Sequence, residues 1–202
     1  MHVLAVTGGL GAGKSTAAEV FAAKGAVVLD LDEIAKSLLD EIPAVHDRVH
    51  AVFGDAIVGA DGRIDRAKLA EVAFRDPGSA RQLDEIVHPA VLAAVAGALD
   101  ALAAESDPPV VVVVVPLLAE APAFLELVDA VLVVSSDEEA RLERALARGM
   151  HLEDAERRLA LQVGDAERRL IADYVIENDA TIEEFRDSLV RFWETEVAVR
   201  EG

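Results

Sequence analysis

The chain has 202 residues, enough for one hydrophobic core of substantial size. Its composition, 52% hydrophobic and 28% charged, is typical of a globular protein and not of a disordered one. The lack of cysteine excludes disulfide bonds and thiolate metal sites. The formal net charge of −19 argues against a nucleic-acid partner, because the chain and the phosphate backbone repel each other.

Two further patterns concern location. The N-terminus has no basic flank and meets glycine at Gly8, so it does not read as a signal peptide. The longest apolar run, Val110–Leu118, is far shorter than the ~20 residues that span a bilayer. We therefore expect a cytoplasmic protein without a membrane partner, either a monomer or a small homo-oligomer.

Apolar and helical patterns alternate along the chain. Strands are predicted at His2–Val6, Ala26–Leu29, Val110–Val115, Ala130–Val134 and Tyr174–Ile176. Helices are predicted at Ser15–Ala23, Glu33–Leu39, Ala44–Phe53, Arg66–Phe74, Ser79–Ile86 and Pro89–Ala104. A near-repeat, Asp154–Ala160 and Asp165–Ile171, predicts two helices joined at Gly164, with Asp165 as the N-cap of the second.

This alternation predicts an α/β protein with a doubly wound parallel sheet of about five strands. Val110–Val115 is apolar without alternation, which is typical of a central strand covered on both faces. In such a sheet the ligand site lies at the carboxyl ends of the strands.

A glycine-rich loop follows the first predicted strand. Gly8–Ser15 matches the P-loop pattern G-x-x-x-x-G-K-[S/T], and Thr16 follows it. Glycines let backbone N–H groups surround a phosphate, and the helix that begins beside them adds its positive end. Lys14 can reach the β- and γ-phosphates of ATP, and the Ser15 hydroxyl can bind Mg²⁺.

The loop itself leaves the reaction open. The sequence contains no Asn-Lys-x-Asp motif for guanine, which argues against a GTPase. The strand at Val110–Val115 ends in Pro116 and not in the acidic residue that binds the metal in many hydrolytic ATPases. Together these absences favour a small-molecule kinase, in which Ser15, the phosphates and water hold Mg²⁺.

Acidic residues follow the second predicted strand, at Asp30 and Asp32. This position is predicted to be adjacent to the P-loop, where a carboxylate can orient or deprotonate an attacking hydroxyl. Asp32 can equally be the N-cap of a helix that begins at Glu33. From the residues alone, both interpretations stand.

Each of three other features can be interpreted either as structural or as functional. His88-Pro89 fits a helix start better than a catalytic site. The segment Pro116–Glu120 suits either a substrate pocket or a plain strand-to-helix turn. Seven arginines fall in one stretch, where they suit either a helix surface with ordinary ion pairs or a phosphate site: Arg141, Arg144, Arg148, Arg157, Arg158, Arg168 and Arg169.

Taken together, these motifs resemble those of the dephospho-coenzyme A kinase family over nearly the whole chain. The resemblance rests on the order and spacing of Thr7–Thr16, Asp30–Asp32, Phe53-Gly54, Ile86–Pro89, Val115–Glu120, Arg144, Arg148-Gly149, Gln162, Ala172–Ile176 and Asn178. One turn departs from the family pattern: Asn178-Asp179-Ala180 stands where the family usually has Asn-Ser-Gly or Asn-Gly.

The resemblance implies transfer of the ATP γ-phosphate to the 3′-hydroxyl of dephospho-coenzyme A. It implies a P-loop NTPase core (1–39, 109–147 and 171–202), a helical substrate-binding insertion (40–108) and a helical lid (148–170). It implies catalytic roles for Lys14, Asp32 and Arg144, and ATP contacts from Gly11, Ala12, Gly13, Lys14, Ser15, Thr16, Arg144 and Arg148. It implies substrate contacts from Thr7, Asp32, His88, Leu117, Leu118 and Glu120.

The sequence leaves two other functions open. One is a kinase of the same architecture that acts on a nucleoside monophosphate or a sugar-like alcohol. The other is a nucleotide-binding regulator that transfers no phosphoryl group.

Overall fold

A computed structural model of the protein describes residues 1–106, 108–116 and 118–198. The described chain forms two compact units. Unit 1 comprises residues 1–30 and the described residues from 99 onwards, and unit 2 comprises residues 31–98.

Unit 1 contains a five-stranded sheet in which all strands are parallel, as the sequence predicted. The strands are β1 (His2–Thr7), β2 (Val27–Asp30), β3 (Val110–Val114), β4 (Ala130–Ser135) and β5 (Tyr174–Glu177), in the order β2-β3-β1-β4-β5. All five residues of β3 are buried, which confirms a central strand covered on both faces.

The helices of unit 1 follow the parallel strands. They are α1 (Lys14–Ala23), the end of α5 (Pro77–Glu105), α6 (Glu138–Ala147), α7 (Leu152–Leu161), α8 (Asp165–Arg169) and α9 (Ile182–Phe192). Short 3₁₀ and π turns lie at Pro122–Leu127 and Trp193–Val197. The N-cap of α8 is Gly164, so the expectation of an Asp165 cap was wrong by one residue.

One face of the sheet packs on α1 and α9 through an aromatic cluster. Phe21 is fully buried, and its ring centroid lies 5.5 Å from that of Trp193 and 6.0 Å from that of Phe192. Tyr174 meets Phe192 edge-on at 5.1 Å. Because α1 carries the first turn after the glycine loop, this packing fixes the loop relative to the sheet.

The cluster gives a prediction about stability. We expect Phe21→Ala to lower the free energy of unfolding by about 3–5 kcal/mol, because it leaves a cavity under α1. Urea unfolding followed by circular dichroism measures the change. Ile182→Ala, at an exposed position of α9, is the matched control and should change stability by no more than about 0.5 kcal/mol. Equal losses in the two variants would contradict this account of the core.

Unit 2 is helical and contains α2 (Leu31–Glu41), α3 (Pro43–Phe53), α4 (Arg66–Ala73) and most of α5. A 3₁₀ turn at Asp55–Ile57 and a single β-bridge between Val58 and Ile64 connect α3 to α4. The Asp65 side chain caps α4 by accepting from the N–H groups of Ala67 and Lys68.

Two helix predictions in this region were wrong. Pro89 does not begin a helix, because α5 is continuous from Pro77 to Glu105 with Pro89 inside it. Its start is fixed by Asp76, whose carboxylate accepts from the N–H groups of Gly78 and Ser79. Asp32 is not an N-cap, since α2 already begins at Leu31 and Asp32 lies in its first turn.

The helix α5 is also long and apolar, with a mean hydropathy of 1.8 over its most apolar stretch. By length and composition alone, it is the one helix of the described residues that could cross a membrane. Core helices meet the same criterion, and Val91, Val95 and Leu99 recur every four residues along α5 as a buried stripe.

Candidate active site

The glycine loop connects β1 to α1 and curls back on its own lysine. The Lys14 ammonium group donates to the carbonyl oxygens of Gly8 at 2.8 Å and Gly9 at 3.0 Å. Within the described residues, no side chain caps the N-terminus of α1. The N–H groups of that first turn and the lysine therefore provide positive potential at one point, which suits an anion.

At two positions of the loop, both the packing and the backbone conformation require glycine. Gly11 and Gly13 have φ angles of 75° and 114°, in the region that favours glycine. A Cβ on Gly11 would collide with the carbonyl oxygen of Arg141, and one on Gly13 would lie 2.5 Å from the Asn178 amide nitrogen. The loop is thus held close to α6 and to the end of β5.

Asn178 and Arg144 connect the loop to the neighbouring strand ends. The buried Asn178 amide donates to the Ala12 carbonyl at 2.7 Å. Arg144 donates to the Gly11 carbonyl at 3.2 Å, to Ser136 Oγ at 2.9 Å and to the Asn178 carbonyl at 2.5 Å. The structure thus places Arg144 on the loop backbone, where it supports the loop geometry from α6.

The turn that departs from the family pattern is anchored to the same place. Asp179 Oδ1 accepts from Ser136 Oγ and from the Asp137 N–H, both at 2.8 Å. Because Asp137 directly precedes α6, the carboxylate binds the positive end of that helix. Asp179 therefore stabilises the start of the helix that carries Arg144 and Arg148.

Arg148 occupies a different position from Arg144. It lies at the end of α6 and lines a cavity of about 440 Å³ together with Leu10, Gly11, Met150 and His151. Two loop residues share this cavity, so Arg148 borders the glycine loop from the side of the predicted lid.

The predicted lid contacts the loop through its middle segment, between α7 and α8. Gln162 Oε1 accepts from the Leu10 N–H at 2.9 Å, and the Val163 N–H donates to Glu120 Oε1 at 3.0 Å. The other oxygen of Glu120 is buried and has no hydrogen-bond partner within the described residues. Glu120, a predicted substrate residue, thus holds this segment against the turn that follows β3.

Arg169 attaches α8 to the strand ends. It donates to Asp165 at 2.6 Å, to Ser135 Oγ at 2.7 Å and to Glu177 at 2.6 Å. The hydrogen bonds to Asp165 and Glu177 raise the pKa of Arg169. Burial alone would raise the pKa of Asp165, but the hydrogen bonds from Arg169 and Ser135 hold it below its usual value. These contacts make Arg169 a structural link and not a free cation.

Two of the seven clustered arginines, neither of which was assigned a catalytic or binding role, lie directly over the glycine loop. A Cβ built on Gly9 would have Arg168 Nη1 at 3.2 Å and Arg141 Nη1 closer still. Both side chains are buried. The signal in the sequence was the arginine-rich stretch to which both belong, which suited a phosphate site as well as a helix surface.

The remaining predicted residues divide between the units. Thr7 ends β1 and is buried, and Leu118 is fully buried in unit 1, whereas Leu117 lies outside the described residues. Ser15 is exposed and Thr16 partly exposed in the first turn of α1. In unit 2, Asp32 is exposed at the start of α2, and His88 lies on α5 with Asp84 3.5 Å away.

One positional expectation needs correction. The carboxyl end of β2 is not next to the P-loop strand, because β3 lies between β2 and β1. The register aligns Asp30 with Val114 and Val114 with Val6, so all three strands end at the same edge of the sheet. Two strand spacings separate Asp30 from β1 by about 10 Å.

A glycine loop with its lysine, at the carboxyl edge of a parallel sheet and with arginines beside it, defines a nucleotide-binding protein of the P-loop class. Comparison with known proteins identifies the family: the dephospho-CoA kinase profile matches residues 2–184. The chain therefore belongs to the dephospho-CoA kinase family, kinases that convert dephospho-CoA to coenzyme A in the last step of its synthesis.

Individual relatives are similar to this chain over nearly the full length of both proteins. Dephospho-CoA kinase of Leifsonia xyli subsp. xyli is 38% identical over 194 residues, covering 96% of this chain and 98% of the relative. The solved structure of a Thermus thermophilus protein has a TM-score of 0.77 at 31% identity, covering 96% of this chain and 97% of its own. Dephospho-CoA kinase from Campylobacter jejuni gives a TM-score of 0.71 at 26% identity, covering 98% of each chain.

Proposed function

We propose that this chain transfers the γ-phosphate of ATP to the 3′-hydroxyl of dephospho-CoA, releasing ADP and coenzyme A. The observation that carries the proposal is the glycine loop with Lys14 in a chain whose residues 2–184 match the family. We further propose that the protein acts in the cytoplasm on small molecules, as a monomer or a small homo-oligomer, without a nucleic-acid or membrane partner.

The donor half of the reaction is assigned to unit 1. The loop N–H groups of residues 11–16 would bind the phosphates, and Lys14 would exchange its bonds to the Gly8 and Gly9 carbonyls for phosphate oxygens. Arg144 supports the loop through Gly11, and Arg148 borders the adjoining cavity. This arrangement stabilises negative charge without requiring the site to reorganise during the reaction.

The residues also fit a magnesium ion supplied with the nucleotide. Ser15 offers an exposed hydroxyl at the start of α1, and the described residues contain no group of three carboxylate or imidazole side chains that would hold a metal by themselves. Ser15 would be the protein ligand, with phosphate and water oxygens completing the shell. The ion would supply neutralisation of the phosphate charge.

The acceptor half is assigned to Asp32 on the basis of the family resemblance. Asp32 follows β2 by two residues, and β2 ends at the same sheet edge as β1. In the proposed reaction its carboxylate accepts the hydrogen of the 3′-hydroxyl, whose oxygen attacks the γ-phosphorus as the bond to ADP breaks. Thr7, His88, Leu117, Leu118 and Glu120 remain proposed substrate contacts.

A substrate panel tests the proposal. ADP release is measured with dephospho-CoA, AMP, CMP, shikimate and gluconate, and the product from dephospho-CoA is analysed by mass spectrometry. We expect release with dephospho-CoA to exceed that with each alternative by at least about 100-fold, which a site built for the acceptor hydroxyl can supply. The product should be heavier by one phosphoryl group and carry it on the 3′-oxygen. Comparable turnover of a nucleoside monophosphate or a sugar-like alcohol, or ATP binding without any transfer, would refute the assignment.

A further inference from the structure

A chain of hydrogen bonds links the carboxylate in the turn after β5 to a side chain of α6. Asp179 Oδ1 accepts from Ser136 Oγ and from the Asp137 N–H, both at 2.8 Å. Ser136 Oγ in turn accepts from Arg144 Nη1 at 2.9 Å. The carboxylate therefore acts on the guanidinium group through one intervening hydroxyl.

The single proton of the Ser136 hydroxyl gives this chain its direction. Two acceptors lie within its reach, Asp179 Oδ1 at 2.8 Å and the Asn178 carbonyl oxygen at 3.0 Å. The carboxylate is the stronger acceptor, because a hydrogen bond to an ionised group is about twice as strong as a neutral one. With its proton donated to Asp179, the hydroxyl presents a lone pair to Arg144.

Burial leaves the Ser136 hydroxyl few alternatives. Ser136 is 5% exposed, whereas Asp179 lies at the surface. Without the carboxylate, the proton would turn to the Asn178 carbonyl oxygen or stay unpaired, and an unpaired buried polar group is costly. The Asn178 carbonyl already accepts from Arg144 Nη2 at 2.5 Å. Loss of the carboxylate would thus disturb both contacts that hold Arg144 at this end.

The other end of the chain is the glycine loop, because Arg144 Nη1 also donates to the Gly11 carbonyl at 3.2 Å. Within the described residues, the hydrogen-bond acceptors of Arg144 are all neutral oxygens, on Gly11, Ser136 and Asn178. A carboxylate that paired directly with Arg144 would cancel the positive charge beside the loop. Acting through a hydroxyl, Asp179 orients the guanidinium group and leaves its charge available to a phosphate.

We propose that Asp179 is a positioning residue for ATP binding, which holds Arg144 against the glycine loop through the Ser136 hydroxyl. The inference rests on the proposed use of ATP. Asp179 lies in the turn that departs from the family pattern, and the resemblance assigns it no role. Its role follows from the hydrogen bonds that the carboxylate makes in this chain.

Calorimetric titration of the full-length protein with ATP, in the presence of Mg²⁺, tests the proposal. We expect Asp179→Ala to weaken ATP binding about 10-fold, the low end of the range for losing a hydrogen bond to a charged group. Asp179→Asn should stay within about 3-fold of the wild type, because its amide oxygen can still accept from both donors. Asp187→Ala, which removes an exposed aspartate from α9, is the matched control and should change ATP affinity by less than about 2-fold.

A double-mutant cycle distinguishes positioning from a purely structural role. In an Arg144→Ala background, Asp179→Ala should weaken ATP binding by less than about 2-fold further, because the group that the carboxylate positions is gone. An equal loss in both backgrounds would refute the proposal, since Asp179 would then act on ATP binding independently of Arg144. Wild-type affinity in folded Asp179→Ala, or an equal loss in Asp179→Asn, would also refute it.

Circular dichroism first establishes that each variant is folded. If Asp179→Ala does not fold, Ser136→Ala decides, because it removes the intervening hydroxyl and should weaken ATP binding by about the same 10-fold. Unchanged ATP affinity in folded Ser136→Ala would then overturn the proposal. Failure of the wild type to phosphorylate dephospho-CoA would refute the proposed substrate while leaving these ATP measurements intact.

Discussion

Lys14→Ala is expected to lower kcat/KM for phosphoryl transfer by about 10³-fold, the cost of removing one preorganised donor from a charged transition state. The ammonium group lies at the loop, where it would exchange the Gly8 and Gly9 carbonyls for phosphate oxygens when ATP binds. The loss should appear both in the ATP dissociation constant and in kcat. Steady-state ADP release and calorimetry measure the two contributions.

The control for this variant is Lys24→Ala. Lys24 lies just after α1 and pairs with Glu194 at 2.9 Å, in a partly exposed ion pair. Removing it changes the net charge by the same amount but should leave kcat/KM within about 2-fold, because such pairs contribute at most about 1 kcal/mol to stability and this one is outside the loop. If Lys14→Ala were no worse than the control, the loop would not be the phosphate site.

Asp32→Asn is expected to lower kcat by about 10²- to 10⁴-fold, the usual contribution of a group that accepts a proton in the transition state. Asparagine keeps the size of the side chain but cannot take the hydroxyl proton. The dissociation constants of ATP and dephospho-CoA should therefore change by less than about 3-fold, since the loss falls on the transition state. Stopped-time assays and calorimetry separate the two effects.

Neighbouring acids supply controls for Asp32. Glu33→Gln removes the next carboxylate of the same helical turn, which is exposed and pairs with Lys36. Asp30→Asn removes the carboxylate at the end of β2. Both variants should keep kcat within about 5-fold of the wild-type value, because Asp32 alone is proposed to accept the proton. Near-normal turnover in Asp32→Asn, or an equal loss in Asp30→Asn, would show that Asp32 is not the group that accepts the proton.

The strands and the loop were predictable because their signals are local. A continuous β-branched run such as Val110–Val114 is typical of an interior strand of a parallel sheet, and the structure confirms an interior position for β3. The glycine loop was equally clear, since each residue type in it answers a requirement of phosphate binding. The boundaries of these strands were predicted to within one residue.

The helices of unit 2 were less predictable. Pro89 signals a helix start by its own conformational preference, but α5 passes through it. The helix has buried residues on both sides of the proline, at Ile86 before it and at Val91 after it. Packing of a long apolar face outweighs the loss of one backbone hydrogen bond. Tertiary packing thus keeps α5 continuous through Pro89, although local propensity favours a helix start there.

By itself, the sequence determined the class of protein, because a phosphate loop and an alternating α/β pattern are built from contacts close along the chain. Only the tertiary structure decided the strand order, which puts β3 between β2 and the P-loop strand. It also decided which of the seven clustered arginines lie against the glycine loop. Arg169 turns to Asp165 and Glu177, while Arg141 and Arg168 meet at Gly9. That choice depends on how α6 and α8 pack against a loop more than 100 residues earlier, which spacing within a helix does not encode.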